Sequence, residues 1–252
     1  MNKERQVSKS VAAIICAAGP GTRFGGKRKK QFMDVGGRAV FARSIELFSG
    51  RNDAKQILLG IPQEDEEIVK VKWGANLKFF NVKTFFGGKE RFDTIIEGLK
   101  LLKEGIELVV VHDACRCCAT EQLVTDVIAK AAETGAAIPA APVTATIKQV
   151  KDSLIVKTVD RADLFEAQTP QVFETALLKK AYANLANVDK ATVTDDAFLV
   201  EALGHKVAIV ESDSSNIKIT RPSDIAVAEA IIRSRPKPKP EGPIGPYIEA
   251  QW

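Results

Sequence analysis

Glycines and basic residues crowd the segment GPGTRFGGKRKKQF (19–32), directly behind the apolar run VAAIICAA (11–18). A glycine turn after a buried strand, followed by Arg and Lys, is suited to holding a polyphosphate: backbone amides approach the anion and cations neutralise it. Two common phosphate loops do not fit. A dinucleotide fingerprint starting at Gly19 meets Phe24 where its third glycine belongs. A P-loop from Gly21 to Gly26 and Lys27 meets Arg28 where a hydroxyl should reach Mg²⁺. A solvated basic loop remains an alternative for the glycines or the lysines taken alone; together, behind a strand, they favour phosphate.

The rest of the chain limits what that phosphate belongs to. With 252 residues, 45% hydrophobic and 27% charged, the composition suits one main soluble domain. A net charge of +4, gathered at residues 27–30, is too mild and too local for a nucleic-acid face, so an anionic small molecule is the expected partner. The polar start MNKERQVSKS carries no apolar signal region, and no run is long enough to span a membrane; a cytoplasmic protein without membrane or nucleic-acid partners is expected. Cys115, Cys117 and Cys118 are too close to bridge one another easily, which fits reduced thiols, and as a zinc site they would need a fourth ligand and better spacing.

Positioning these residues calls for an alternation of strands and helices. QILLGIP (56–62), FFNVKTFF (79–86), LVVVHD (108–113) and AAIPAAPV (136–143) read as strands alongside 11–18. AVFARSIELF (39–48), RFDTIIEGLKLL (91–102) and EQLVTDVIAKAAE (121–133) carry apolar residues at helical spacing. This is an α/β pattern with a mostly parallel sheet, helices on both faces, and ligands expected where the loops at Gly19, Gly87 and Asp113 leave the strands. ATIKQVKDSLIVKTVD then reads as a projecting two-stranded arm, about 144–160, turning at Lys151-Asp152-Ser153. Thr194 is placed to cap a helix over DDAFLVEAL, KVAIVES and NIKIT read as closing strands, and SDIAVAEAIIR as a last helix. The expected organisation is a polar extension at 1–10, one domain over 11–234, and a Pro-rich, extended or disordered tail at 235–252.

Eight segments in order, AAGPGTRFGGKRKKQF, GGKERFDT, HDACRC, ATIK, TVDR, QTPQVF, TDDA and NIKIT, resemble the 2-C-methyl-D-erythritol 4-phosphate cytidylyltransferase family over roughly residues 11–232. The resemblance implies a Rossmann-like nucleotidyltransferase fold and transfer of CMP from CTP to a sugar-alcohol phosphate, with Mg²⁺ or another divalent cation. It further implies a homodimer whose arm completes the neighbouring active site. By the same resemblance Arg23, Lys30 and Lys218 are catalytic cations. Ala17, Ala18, Gly19, Gly21, Gly87, Gly88, Arg91, Thr94 and Asp113 bind nucleotide, the amides of Ala17, Ala18 and Gly19 facing it. Asp113 lies near the metal, and Arg116, Thr146 and Arg161 bind the sugar phosphate. The chemistry agrees, because an anionic nucleophile and an anionic leaving group meeting at one phosphorus need orientation and positive charge above all. Lys27, Arg28 and Lys29 read as solvated neighbours, and His112 as a packed side chain rather than a base.

The sequence departs from the family pattern at Lys29 and Cys117, where Pro is usual, at Ala145, where an acid is usual, and at Thr94, where Ser is usual. Two rivals follow. A ribitol 5-phosphate cytidylyltransferase would share loop and reaction; ATIKQV and QTPQVF favour the methylerythritol enzyme. A nucleotide-binding regulator without turnover would explain the departures, but not the retention of Arg23, Lys30, Asp113, Arg161 and Lys218.

Overall fold

The computed structural model describes residues 9–19, 21, 24 and 29–236. Most of the N-terminal extension, nearly all of the tail, and Arg23, Lys27 and Arg28 lie outside the described residues. In chain order the elements are β1 (Val11–Cys16), the hairpin strands β2 (Asp34–Val35) and β3 (Arg38–Ala39), α1 (Val40–Ser49), β4 (Ala54–Ile61), α2 (Glu66–Phe79) and β5 (Val82–Phe86). There follow α3 (Arg91–Lys100), β6 (Leu108–Asp113), α4 (Glu121–Thr134), β7 (Ala136–Pro142), β8 (Ile147–Lys151), β9 (Leu154–Val159), β10 (Phe165–Ala167) and β11 (Gln171–Glu174). The chain closes with α5 (Thr175–Ala183), α6 (Asp196–Glu201), β12 (Ala208–Glu211) and α7 (Ser223–Ser234).

The main sheet runs β10-β7-β11-β6-β1-β4-β5, with β12 on β7. β6, β1, β4 and β5 are parallel to one another, as are β12 and β7, while β10 and β11 run antiparallel to their neighbours. The expected α/β sheet is therefore present, mixed but mostly parallel. Alternation along β1 divides its side chains between two cores. Val11, Ala13 and Ile15 pack toward Phe41 and Ile45 of α1, Val69 of α2 and Val124 of α4. Ala12 and Ile14 pack toward Ile95 of α3, Leu178 of α5 and Leu199 of α6. A sheet covered on both faces needs near-continuous apolar strands, and LVVVHD is buried at every position.

The strand order turns at β1: β4 lies on one side of it and β6 on the other. Such a switch point opens a crevice beyond the carboxyl ends of the strands. Here Cys16 pairs with Gly60 and Asp113, so β1 and β6 end level and β4 runs one residue further.

Several elements differ from the sequence reading. α2 and α5 were not expected as helices, and Phe79 and Phe80, read as the start of a strand, belong to the end of α2 and its cap. Among α2's residues only Val69 and Leu77 are buried, too few to print a helical stripe on the sequence. The α6 cap is Asp195 rather than Thr194, its side chain accepting from Phe198 N–H. NIKIT is not a strand: the Ile219 amide donates to Cys115 O and the Thr220 amide to the Asp224 carboxylate, so it crosses the sheet end on isolated contacts. The arm is present as the β8–β9 hairpin, with Asp152 and Ser153 at positive φ in its turn and Val150, Leu154, Ile155 and Val156 exposed along it.

Candidate active site

A crevice of about 370 Å³ lies over the carboxyl ends of β1 and β6. The ladder continues one residue past the strands, Ala17 N–H donating to Gly60 O, Ala114 N–H to Cys16 O and Gly87 N–H to Ile61 O, before the chain turns away. A side chain at Gly87 would bring its Cβ within 2.3 Å of the Ala18 Cβ and 2.6 Å of the Thr94 hydroxyl, so the wall can close only over glycine. Gly21 sits at φ +65°, in the left-handed region, where a Cβ would lie 3.8 Å from the Lys30 Cγ. Ala17, Ala18, Gly19, Gly21, Gly88 and Thr94 line the crevice. The Ala17 N–H belongs to the sheet, which corrects its expected place facing a nucleotide and narrows the candidate amides to Ala18 and Gly19.

The polar centre is a chain of alternating charge. Asp113 ends β6 and takes Arg91 Nε on Oδ1 at 2.9 Å and Lys218 Nζ on Oδ2 at 2.6 Å. Arg91, the first residue of α3, extends its Nη2 to Asp196 Oδ2 at 2.7 Å, and Asp196 has no exposed surface. Burial works to raise the Asp113 carboxyl, but the Arg91 and Lys218 cations outweigh it and hold the group well below the usual carboxylate range. Burial likewise opposes the Arg91 charge, and Asp196 and Asp113 outweigh it, keeping the guanidinium protonated. The result is a preorganised cluster with two cations bordering an anion at the crevice wall.

Lys30 enters the same crevice, its Nζ donating to Ile219 O at 3.0 Å. The next residue, Gln31, is buried and donates to Ala17 O at 2.9 Å, tying the loop's exit to its entry. Lys29 is not a solvated neighbour: its Nζ lies 2.7 Å from both Glu64 Oε1 and Asp65 Oδ2. Thr94 is 2% exposed and its hydroxyl is 3.4 Å from Glu90 O. Arg116 stands beside the crevice and binds Asn216 O and Ala167 O through its two terminal nitrogens. Thr146 and Arg161 are exposed at the root of the arm, where Arg161 donates to Thr144 O; neither lines the crevice of its own chain.

His112 is fully buried, hydrogen-bonded at Nδ1 to the Thr169 hydroxyl at 3.0 Å and edge-on to Phe48. Burial drives its pKa down to about 4, so it is a neutral packed ring. All four cysteines are free, and burial pushes Cys16 up to about 12 and Cys115 up to about 11, keeping both as thiols.

Sequence reasoning singled out no role for Asp196, Gln31 or the Asn216 side chain, which donates to Gln168 Oε1 at 2.9 Å and Thr169 O at 3.0 Å. Each lies inside a quoted motif, and that adjacency was the only signal available.

The sequence model of the 2-C-methyl-D-erythritol 4-phosphate cytidylyltransferase family matches residues 11–234. A protein of that name from Endomicrobium trichonymphae is 41% identical over 224 residues, 88% of this chain and 99% of that one. The crystal structure of 4-diphosphocytidyl-2C-methyl-D-erythritol synthase from Anaerococcus prevotii superposes with a TM-score of 0.76 at 32% identity, covering 90% of this chain and 99% of that one. The 2-C-methyl-D-erythritol 4-phosphate cytidylyltransferase structure from Thermus thermophilus gives 0.71 at 31% identity, covering 88% and 98%. The fold is accordingly the Rossmann-like nucleotidyltransferase fold, and the chain belongs to the 2-C-methyl-D-erythritol 4-phosphate cytidylyltransferase family.

Proposed function

We propose that this crevice transfers CMP from CTP to 2-C-methyl-D-erythritol 4-phosphate, giving 4-diphosphocytidyl-2-C-methyl-D-erythritol and pyrophosphate. An oxygen of the acceptor phosphate forms a bond to the α-phosphorus of CTP as the bond from that phosphorus to the bridging β-oxygen breaks. Charge moves onto pyrophosphate, and no proton need be removed from the nucleophile at neutral pH. The observation that carries this reading is the presence of Lys30, Lys218 and Arg91 around Asp113 in one crevice at the ends of β1 and β6.

In this reading Lys30 and Lys218, with Arg23 from the loop, neutralise the triphosphate and the charge that develops on the leaving group. The Ala18 and Gly19 amides and the Gly87-Gly88 turn receive the nucleotide, with Gly21 shaping the loop and Thr94 buried beneath the turn. Arg91 is fixed by two carboxylates and keeps Asp113 in place. Arg116 serves the acceptor side.

Asp113, whose two oxygens already take Arg91 and Lys218, would hold a divalent cation on the lone pairs those cations leave free, alongside oxygens of the triphosphate. Among the described residues no cluster of three or more metal-ligating side chains exists. Bound there, the ion would neutralise phosphate charge.

The exposed arm, with Thr146 and Arg161 at its root and apolar residues along its strands, supports a homodimer in which each arm reaches the partner's acceptor site. Among the described residues no helix is long and apolar enough to cross a membrane. The test is kcat/KM for CTP with methylerythritol phosphate against ribitol 5-phosphate. A clear preference for the branched four-carbon acceptor is expected; preference for ribitol phosphate would reassign the substrate, and no product with either would refute the reading.

A further inference from the structure

We propose that Lys29 is a positioning residue: its two ion pairs to the head of α2 hold the exit of the phosphate loop so that Lys30 is presented to the crevice. The inference rests on the cytidylyl-transfer reading.

Lys29 Nζ meets Glu64 Oε1 and Asp65 Oδ2, both at 2.7 Å, just before α2 begins at Glu66. The Asp65 and Lys29 side chains retain only 13% and 26% exposure, so that pair is better shielded than an ordinary surface contact. Two residues beyond Lys30, Phe32 stacks on Trp73 of α2 with ring centroids 5.2 Å apart and planes 17° apart. Trp73 in turn meets Phe41 of α1 edge-on. The short turn Lys30–Phe32 is thus pinned to α2 on both sides, by charge before it and by an aromatic stack at its end. Between these pins Lys30 turns to the crevice and Gln31 to Ala17 O. The backbone at Lys29 has φ −69° and ψ 139°, the φ that a proline ring would impose covalently. Here the ion pairs hold by attraction what a ring would hold by covalent geometry. α2 buries few residues of its own, and this anchorage gives it a role toward the site.

The experiment compares Lys29→Met, Glu64→Gln/Asp65→Asn, the combination of all three, and Lys29→Pro in a Trp252→Phe background, which leaves Trp73 as the sole tryptophan. Lys29→Met should lower kcat about tenfold at saturating CTP while KM for CTP stays within about twofold, the pattern of a displaced transition-state group. Glu64→Gln/Asp65→Asn should do the same, and the combination should cost no more than either. Trp73 fluorescence should become more accessible to acrylamide in all three. Lys29→Pro should restore most of kcat; if it does not fold, the cycle with Glu64 and Asp65 decides. Wild-type kcat in Lys29→Met, a defect confined to KM, or losses that multiply in the combination would each overturn the clamp. Absence of pyrophosphate release by the wild type would instead overturn the underlying activity, and the clamp with it.

Discussion

Asp196→Asn keeps the size of the side chain and removes one charge, at a position with no exposed surface. In the native protein Asp196 Oδ2 faces Arg91 Nη2 at 2.7 Å and Oδ1 accepts from the Tyr182 hydroxyl. The Asn oxygen can still face Arg91, but its amide then meets the Tyr182 hydroxyl, whose proton loses its acceptor in a buried setting. What is lost is one ion pair in a buried setting, while Arg91 keeps Asp113. Breaking a buried pair outright costs about 3–5 kcal/mol, and retention of the second carboxylate brings the expected loss to about 2–3 kcal/mol. For a chain of this size that corresponds to a fall in Tm of roughly 5–10 °C. Arg91 would also rest on one anchor, so KM for CTP should rise several-fold. Differential scanning fluorimetry and initial-rate kinetics on the purified variant give both numbers. A Tm within about 2 °C of wild type, with unchanged KM, would refute the claim that Asp196 holds Arg91.

Lys30→Ala should reduce kcat by about a hundredfold, the loss of one charge-stabilising donor costing on the order of 3 kcal/mol, with an unaltered circular dichroism spectrum. For His112 the native pKa of about 4 lies below the ordinary 6.5, so the unfolded chain binds the proton first as pH falls. Its effect on stability is absent above pH 6.5 and grows as a loss between pH 6.5 and 4, reaching about 3 kcal/mol. Urea melts should show that slope in wild type and not in His112→Gln. The shared-site proposal is tested by mixing Lys30→Ala with Arg161→Ala: each alone should be nearly inactive, and subunit exchange should restore roughly a quarter of wild-type activity under two-fold symmetry. Exchange without recovery would place both residues in one site of one chain.

The strands and helices that frame the crevice were legible because burial on both faces demands unbroken apolar runs, as in VAAIIC and LVVVHD. α2 was not, because most of its surface meets solvent and Val71 and Phe79 remain 77% and 83% exposed, which blurs any stripe. NIKIT shows the opposite failure: alternation suggested a strand, yet Ile217 and Ile219 pack with the cysteine segment while Lys218 reaches Asp113. Within the site, Lys30, Arg91, Asp113 and Lys218 were found through motif order. Asp196 was given no role, since nothing local tells a solvated helix acid from one buried against an arginine far back in the chain. The Lys29 clamp was hidden for the same reason, its partners lying across the sheet end beside a helix that the sequence did not announce.

The most direct test of cytidylyl transfer uses methylerythritol phosphate carrying ¹⁸O in its phosphate group, with unlabelled CTP, Mg²⁺ and the wild-type protein. Mass spectrometry of both products follows the oxygen. Attack by the acceptor phosphate on the α-phosphorus predicts equal amounts of 4-diphosphocytidyl-2-C-methyl-D-erythritol and pyrophosphate, with all of the label in the former, including the bridging oxygen, and none in the latter. Label in pyrophosphate, or pyrophosphate formed without the cytidylylated product, would contradict it.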